Sequence, residues 1–238
     1  GCLHNSIEPL VEAVQTICNQ PLSQNDGLVF HADTVTGETI IEAAAYSGIR
    51  VQLLATLGKA RVPLQVDVGF GDAVVPGPVA IHMPTLLDFP PPVLQGYSRE
   101  SAIAEKFQAM VYLGEINSRM KDFYDIWSLA SRAAFDGPTV AKAIRVTFHH
   151  RSTPVPKEPL AWSDAFVAQT GKQRQWRAFT RRQIREDDAP DFEDVISLIR
   201  EFLEPVVTAL IMRETFERRW PPGGPWEANA EVGTLCPK

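Results

Sequence analysis

Three observations predict an α+β fold with a sheet-containing first part and a helical second part. Val62, Leu64, Val66, Val68 and Phe70 form an apolar row at period two, as in a strand with one buried face. Residues 74–100 contain six prolines, which a long helix does not tolerate. Beyond residue 99 the apolar spacing becomes helical and stays so over most of the remaining chain.

The first part is predicted to contain one helix and several antiparallel strands. Residues 6–19 have an apolar stripe at helical spacing. Residues 26–35 have strand character, and residues 48–71 predict two strands joined by a tight turn at Gly58-Lys59. This part is therefore expected to place a helix against a mostly antiparallel sheet.

The proline-rich segment predicts an extended connector with short edge strands. It divides the chain into an α+β domain at 1–95, a helical domain at 96–219 and a tail at 220–238. The composition of the tail, with its prolines and glycines, is typical of an end that is ordered at first and then frays. The helices are expected at about 99–116, 119–134, 137–149, 160–170, 172–185 and 190–219.

Composition excludes several classes of protein. The 238 residues carry a net charge of −6, so binding to nucleic acid through bulk charge is not implied, although a local basic patch is compatible with it. No run approaches the roughly 20 apolar residues of a membrane span. The three cysteines do not form a C-x-x-C pair, which argues against a zinc site or a disulfide framework. A reducing cytoplasm is the expected compartment.

Asp67 interrupts the second strand of the predicted hairpin. Its neighbours Val66 and Val68 belong to an apolar row on one face, whereas Asp67 lies on the other face with Gly69 and Gly71. Aspartate is disfavoured in mid-strand, and such exceptions tend to mark functional positions. An uncrowded carboxylate suits Mg²⁺, which binds through one or two carboxylates and substrate phosphates. The alternative is a solvated aspartate without a function.

Two helical segments carry further charged candidates. Lys106 borders the buried stripe of its helix and is either half of a surface Glu-Lys pair or a point charge that reaches a phosphate. Lys121, Asp122 and Asp125 occupy one arc of the next helix at i,i+3 and i,i+4 spacings. They form either a solvated charged face with an internal ion pair or part of a functional site.

A stripe of arginines follows at Arg174, Arg177, Arg181 and Arg185. Their spacing places them on one helical face, opposite Trp176 and Phe179, which are expected in the core. A row of guanidinium groups suits a phosphate backbone and hence RNA. The sequence favours the other interpretation, a solvated face countered by the acidic run at 186–194.

Together these motifs resemble the AbiEii/AbiGii nucleotidyltransferase toxin family. The resemblance is carried by "GIRVQLLATLGKARVPLQVDVGFGDAV", "TLLDFP", "YSRESAIAEKF" and "NSRMKDFYDIW", in that order, and it extends over about residues 6–215. It implies a polymerase-β-like nucleotidyltransferase sheet followed by an α-helical bundle. Asp67 matches the strand of the family's third metal carboxylate, Lys106 matches its E-K lysine, and Asp122 and Asp125 match its K-D-x-x-D motif.

The resemblance also implies an activity. Family members transfer nucleotides from nucleoside triphosphates with Mg²⁺, and some act on transfer RNA. Lys106, Asp122 and Asp67 are the catalytic positions that it implies, with Lys106, Lys121 and Asp125 at the nucleotide and Asp67 at the metal. A cognate antitoxin is an expected partner. The family's Gly-Ser and Asp-x-Asp motifs have no counterpart in residues 1–60, so we expect a truncated core with impaired transfer. A shortened sheet with a free edge also predicts homodimerisation.

The alternative to an enzyme is a non-catalytic remnant. It would bind a protein partner such as an antitoxin, or RNA along the arginine stripe.

Overall fold

The computed structural model describes residues 6–21, 26–42, 46–71, 73–184 and 189–229. Their contacts divide the chain into an N-terminal unit, Gly1–Asp72, and a C-terminal unit, Ala73–Lys238. The sequence placed this division at residue 95, beyond the connector. The division falls earlier because Val75 is held by the start of the first long helix of the C-terminal unit. The backbone N–H of Val75 donates to Ser101 Oγ at 2.7 Å, and its carbonyl accepts from Ser98 Oγ at 2.6 Å.

The N-terminal unit is a helix on an antiparallel three-stranded sheet, as predicted. Helix α1 spans Ile7–Cys18, and the strands are β1 (Leu28–Glu42), β2 (Tyr46–Leu57) and β3 (Ala60–Val68), in the order β1-β2-β3. The two-residue loop between β2 and β3 is the predicted Gly58-Lys59 turn, and Gly58 has a φ of 58°. Such a positive φ favours glycine in a tight hairpin.

Apolar side chains of α1 and of one sheet face form the core of this unit. Leu10 of α1 packs with Val51 and Leu53 of β2. Gly37 of β1 permits a close approach, because a Cβ there would lie 2.5 Å from Cγ2 of Ile7. The expected apolar row on β3 is only partly covered, since Leu64 packs against the core whereas Val66 is 47% exposed.

The C-terminal unit begins with a small hairpin and continues mainly as helices, which confirms an α+β chain. Its hairpin, β4 and β5, lies within the proline-rich connector, as predicted. The longer helices lie close to the predicted ranges, except that the segment at 160–170 forms a short 3₁₀ turn and a four-residue helix. The elements are β4 (Val79–His82), β5 (Val93–Gly96), α2 (Arg99–Leu113), α3 (Met120–Arg132), β6 (Phe135–Asp136), α4 (Gly137–His150), α5 (Asp164–Val167), α6 (Thr170–Gln183), α7 (Phe192–Met212), β7 (Arg218–Trp220) and β8 (Glu227–Ala228).

The end of the described chain differs from the sequence prediction. Helix α7 stops at Met212, and Arg213 follows with a φ of 58°. Two short strands follow, β7 beside β6 and β8 beside β7, and they form the ordered first part of the predicted tail. The remainder of the tail, residues 230–238, lies outside the described residues. Trp220 is fully buried and donates from Nε1 to the carbonyl of Ala130 at 2.7 Å. Trp226 donates likewise to the carbonyl of Phe202 at 2.8 Å. Burial of two tryptophans outweighs the turn-forming composition of this segment.

Candidate functional site

Asp67 lies on the polar face of the β2-β3 hairpin, as its period predicted, but its carboxylate is not uncrowded. Arg50 of β2 is directly opposite Asp67 in the register. Its guanidinium donates from Nε to Oδ1 at 2.8 Å and from Nη2 to Oδ2 at 2.9 Å. Gln65 Nε2 lies 3.2 Å from both oxygens. The Arg50 hydrogen bonds hold the pKa of Asp67 below its ordinary value. The expectation of an unobstructed carboxylate was therefore wrong.

This pairing could have been found in the sequence. Antiparallel residues are counted outward from a two-residue loop, and counting from Gly58-Lys59 pairs Arg50 with Asp67. The bidentate geometry is the one that guanidinium and carboxylate groups favour. A Mg²⁺ ion at Asp67 would have to compete with this guanidinium for both oxygens. Among the described residues, no three His, Cys, Asp or Glu side chains gather in a way that could hold a metal. The surroundings of Asp67 thus do not fit Mg²⁺ as they stand.

The second group of predicted residues does come together, between α2 and α3. Lys106 of α2 points its ammonium at two carboxylates one turn apart on α3. Its Nζ lies 2.9 Å from Asp122 Oδ1 and 2.7 Å from Asp125 Oδ2. Lys121 Nζ lies 2.6 Å from the same Asp125 oxygen. Lys106 therefore joins the two helices through the charged arc that the sequence identified. We call Lys106, Lys121, Asp122 and Asp125 the Lys106 cluster.

Burial differs sharply within this cluster. The side chain of Asp122 is 9% exposed, that of Lys106 23% and that of Lys121 72%. Asp122 is also held from outside by Arg119, whose Nε is 3.2 Å from Oδ2. A buried carboxylate needs such partners because burial alone strongly disfavours its charge. The cluster is thus more than a solvated surface pair, and Lys106 remains within reach of solvent.

Two pKa values in the cluster are shifted by opposing causes. Burial lowers the pKa of Lys106, but hydrogen bonds to Asp125 and Asp122 outweigh it and raise the net value. Burial likewise raises the pKa of Asp125, and hydrogen bonds from Lys106 and Lys121 reverse this and lower it. Each group therefore stabilises the charged form of the other. Lys106 stays a cation and Asp125 an anion over a wide pH range.

A buried lysine supports the loop that leads into α3. Lys172 of α6 is 5% exposed, and its Nζ donates to the carbonyls of Glu115 at 2.7 Å and Asn117 at 2.6 Å. The ammonium also lies 4.7 Å from the ring centroid of Phe166. Asn117 in turn accepts at Oδ1 from the backbone N–H of Arg119. Burial is the main cause that lowers the pKa of Lys172. No sequence pattern indicated this residue, since its partners are distant in the chain.

A cleft of about 490 Å³ separates the start of α3 from α6. Two cations, Arg119 and Lys121, line its α3 side together with Asp122. Arg182 lines the α6 side, and neither it nor Arg119 was among the sequence candidates. The i,i+3 spacing of Arg119 and Asp122 was a sequence signal that could have identified Arg119. The full lining comprises Ser118, Arg119, Met120, Lys121, Asp122, Gln175, Ala178, Phe179, Arg182 and Gln183.

The predicted arginine stripe lies on a different face of α6. Arg174, Arg177 and Arg181 are exposed, and none forms an ion pair with an acidic residue in the described chain. Arg185 lies outside the described residues. Trp176 is buried and Phe179 packs against the core, as expected for the opposite face. In the described part of the acidic run, residues 189–194, no carboxylate forms an ion pair with these arginines.

The structure thus assembles Lys106, Lys121, Asp122 and Asp125 within the C-terminal unit, whereas Asp67 belongs to the N-terminal unit. Convergence of Asp67 with the other four stays a prediction. No helix in the described ranges is both long and apolar enough to cross a membrane.

Comparison with protein families assigns the chain to a class. The family model "Nucleotidyl transferase AbiEii toxin, Type IV TA system" matches residues 2–198. The chain therefore belongs to the AbiEii nucleotidyl transferase toxin family, as its motifs indicated. Searches of curated proteins and of solved structures give no significant match.

Proposed function

We propose that this chain is the nucleotidyltransferase toxin of a toxin–antitoxin or abortive-infection system. It transfers a nucleotide from a nucleoside triphosphate to an RNA, with transfer RNA as the expected acceptor. Family membership supports the class of reaction, and the Lys106 cluster is the observation that carries the site. The proposal includes a polymerase-β-like core, for which the helix-backed antiparallel sheet supplies only the general layout.

The chemistry assigns a part to each residue of the cluster. Lys106 is a compact positive charge, held by two carboxylates yet partly exposed, and it is suited to bind a triphosphate oxygen. Asp122 is the buried partner that fixes where the ammonium points. Lys121 and Asp125 lie at the exposed side of the cluster and belong to the nucleotide subsite. In the reaction, an acceptor hydroxyl oxygen bonds to the α-phosphorus while the bond from that phosphorus to the oxygen shared with the β-phosphorus breaks, which releases pyrophosphate and the hydroxyl proton.

Mg²⁺ belongs to the proposal as the ion that would offset the negative charge of the triphosphate. Asp67 is its proposed ligand and a proposed catalytic residue on the condition that Arg50 releases a carboxylate oxygen. Because Arg50 holds both oxygens of Asp67, the described residues support no reaction step that runs through the metal. What they do support is phosphate binding by the cations of the C-terminal unit.

A transfer assay tests the catalytic proposal. The purified chain is incubated with total RNA and each common ribonucleoside triphosphate labelled at the α-phosphate. We expect labelled RNA from at least one triphosphate and a loss of about 100-fold in Lys106→Met and Asp122→Asn. Arg145→Gln is the matched control, because Arg145 is exposed on α4, a helix that carries no residue of the cluster. Urea unfolding of each variant separates lost catalysis from lost folding. Transfer that is undiminished in both cluster variants would refute the assignment.

The second candidate is a non-catalytic RNA- or protein-binding module. It is favoured by the exposed Arg174, Arg177 and Arg181, whose guanidinium groups make no ion pair with any described carboxylate. RNA binding without label transfer from any triphosphate would support this candidate over the enzyme.

Partners and compartment follow from the same proposal. A cognate antitoxin is the proposed protein partner, and the cytoplasm is the proposed location. We also propose a homodimer, because β1 and β3 each pair with only one strand in the described sheet. Light scattering at high concentration tests the dimer, and a monomer there would contradict it.

A further inference from the structure

The cleft between α3 and α6 has features that the Lys106 cluster does not use. Its lining side chains include the cations Arg119, Lys121 and Arg182 and one carboxylate, Asp122. Three positive charges against one negative charge leave a formal charge of +2. This local excess stands against a chain with a net charge of −6. The cleft is therefore an anion-attracting site on an otherwise acidic protein.

Arg182 is the cation of the cleft for which the described residues offer no competing carboxylate. Arg119 is paired with Asp122 and Lys121 with Asp125, whereas Arg182 is exposed and makes no hydrogen bond or ion pair with the residues that the structure describes. An exposed guanidinium that holds no carboxylate is available to a phosphate, which it binds with two parallel donors. Arg182 therefore gives the cleft a phosphate donor that no carboxylate among the described residues holds.

An aromatic ring and two amides also line the cleft. Phe179 borders the cleft and is fixed from behind by Trp176 and Tyr124, with ring centroids 5.6 Å and 5.8 Å away. Gln175 and Gln183 add amide donors and acceptors on the same face of α6. Proteins that bind single-stranded nucleic acid combine these elements: cations along the backbone and a held aromatic ring on which a base stacks.

We propose that this cleft binds a segment of single-stranded RNA, with Arg182 and Arg119 at its phosphates and Phe179 beneath a base. Phosphodiesters carry one negative charge each and are spread along the strand. Two of them match the formal +2 of the lining, whereas a nucleoside triphosphate concentrates more charge on adjacent phosphates. That the bound strand is the acceptor rests on the proposed function, but binding itself does not.

The cleft is distinct from the arginine stripe. Cleft residues of α6 recur at 175, 178, 179, 182 and 183, which is one helical face. Arg181 is the neighbour of Arg182 in sequence but points about 100° away around the helix. Arg181 and Arg182 have the same charge but point in different directions. Substituting each in turn therefore distinguishes binding in the cleft from general attraction to a basic helix.

Fluorescence anisotropy with a short labelled single-stranded RNA (about ten nucleotides) tests the proposal on the full chain. We expect Arg182→Gln to weaken binding about three- to tenfold and to lower the slope of log K against log salt by about 0.7, the value for one phosphate contact. Phe179→Leu should weaken binding about five- to tenfold at an unchanged salt slope, because stacking releases no counterion. Arg145→Gln on α4 is the control for lost surface charge.

Other outcomes overturn this proposal or separate it from the enzymatic one. An equal loss in Arg181→Gln and Arg182→Gln would assign the RNA to the basic helix in general. If Arg182→Gln weakens the binding of a nucleoside triphosphate, measured by competition, but leaves RNA binding unchanged, the cleft would be assigned to the nucleotide. If label transfer fails but Arg182→Gln alone weakens RNA binding, the cleft stands and the enzymatic proposal falls. If label transfer succeeds but Arg182→Gln leaves RNA binding unchanged, the enzymatic proposal stands and the cleft proposal falls.

Discussion

Replacing Lys106 by methionine tests whether the Lys106 cluster stabilises the C-terminal unit. Methionine keeps most of the apolar stem of lysine and removes the ammonium. The ammonium contacts Asp122 at 2.9 Å and Asp125 at 2.7 Å. After its removal, Asp122 keeps Arg119 and Asp125 keeps Lys121. Each carboxylate thus loses one of its two cations, and Asp122 loses it in a buried position.

The expected loss is about 2 kcal/mol in the free energy of unfolding. A hydrogen bond to a charged group contributes about 1.5–3 kcal/mol, and breaking a fully buried ion pair costs about 3–5 kcal/mol. The remaining cations and the 23% exposure of Lys106 bring the expected loss below the range for a fully buried ion pair. Lys121→Met is the comparison: Lys121 is 72% exposed, so its pair is worth less than about 1 kcal/mol.

The difference between wild type and Lys106→Met should depend on pH. The pKa of Asp125 is lowered in the folded chain, so its contribution is present above the unfolded pKa and is lost as pH falls through the folded one. The pKa of Lys106 is raised, so its contribution is present below the unfolded pKa and is lost as pH rises through the folded one. The stability gap is therefore largest near neutral pH and narrows in acid and in strong alkali.

Urea unfolding followed by tryptophan fluorescence measures this gap. All the tryptophans lie in the C-terminal unit, so the signal reports that unit alone. A Lys106→Met protein within about 0.5 kcal/mol of Lys121→Met at neutral pH would refute the reasoning. So would a gap that persists unchanged in acid. The reporting residues are Trp127, Trp162, Trp176, Trp220 and Trp226.

Three other substitutions test separate parts of the structure. Gly37→Ala should destabilise the N-terminal unit by about 1–3 kcal/mol, because the new methyl meets Ile7 at 2.5 Å; faster hydrogen exchange of α1 amides would show it, and unchanged exchange would argue against the close contact. A chain ending at residue 219 loses two buried tryptophans, so its free energy of unfolding, measured in urea, should fall by at least about 4 kcal/mol. Unchanged stability would show that the tail is dispensable. Arg50→Gln should raise the pKa of Asp67, because it removes the two hydrogen bonds that lower it; carboxyl NMR titration measures this, and an unmoved pKa would contradict the pairing.

Local sequence patterns predicted the individual elements well where one segment carries its own signal. Period-two alternation placed Asp67 on the polar face of β3, and the Gly58-Lys59 turn gave the correct hairpin. Helical spacing placed Lys121, Asp122 and Asp125 on one arc. Patterns did not predict the strands at the proline- and glycine-rich end, where packing outweighs composition and Trp220 is fully buried.

By itself the sequence determined the α+β class, the family, and which charged residues share a face. These features depend on backbone periodicity and short motifs, which are local. Tertiary structure alone decided that Lys106 reaches across to α3, that Lys172 holds the loop before it, and that Arg182 rather than the predicted stripe faces the cleft. Each of these depends on how two helices pack at a distance along the chain, and no spacing within one segment encodes that distance.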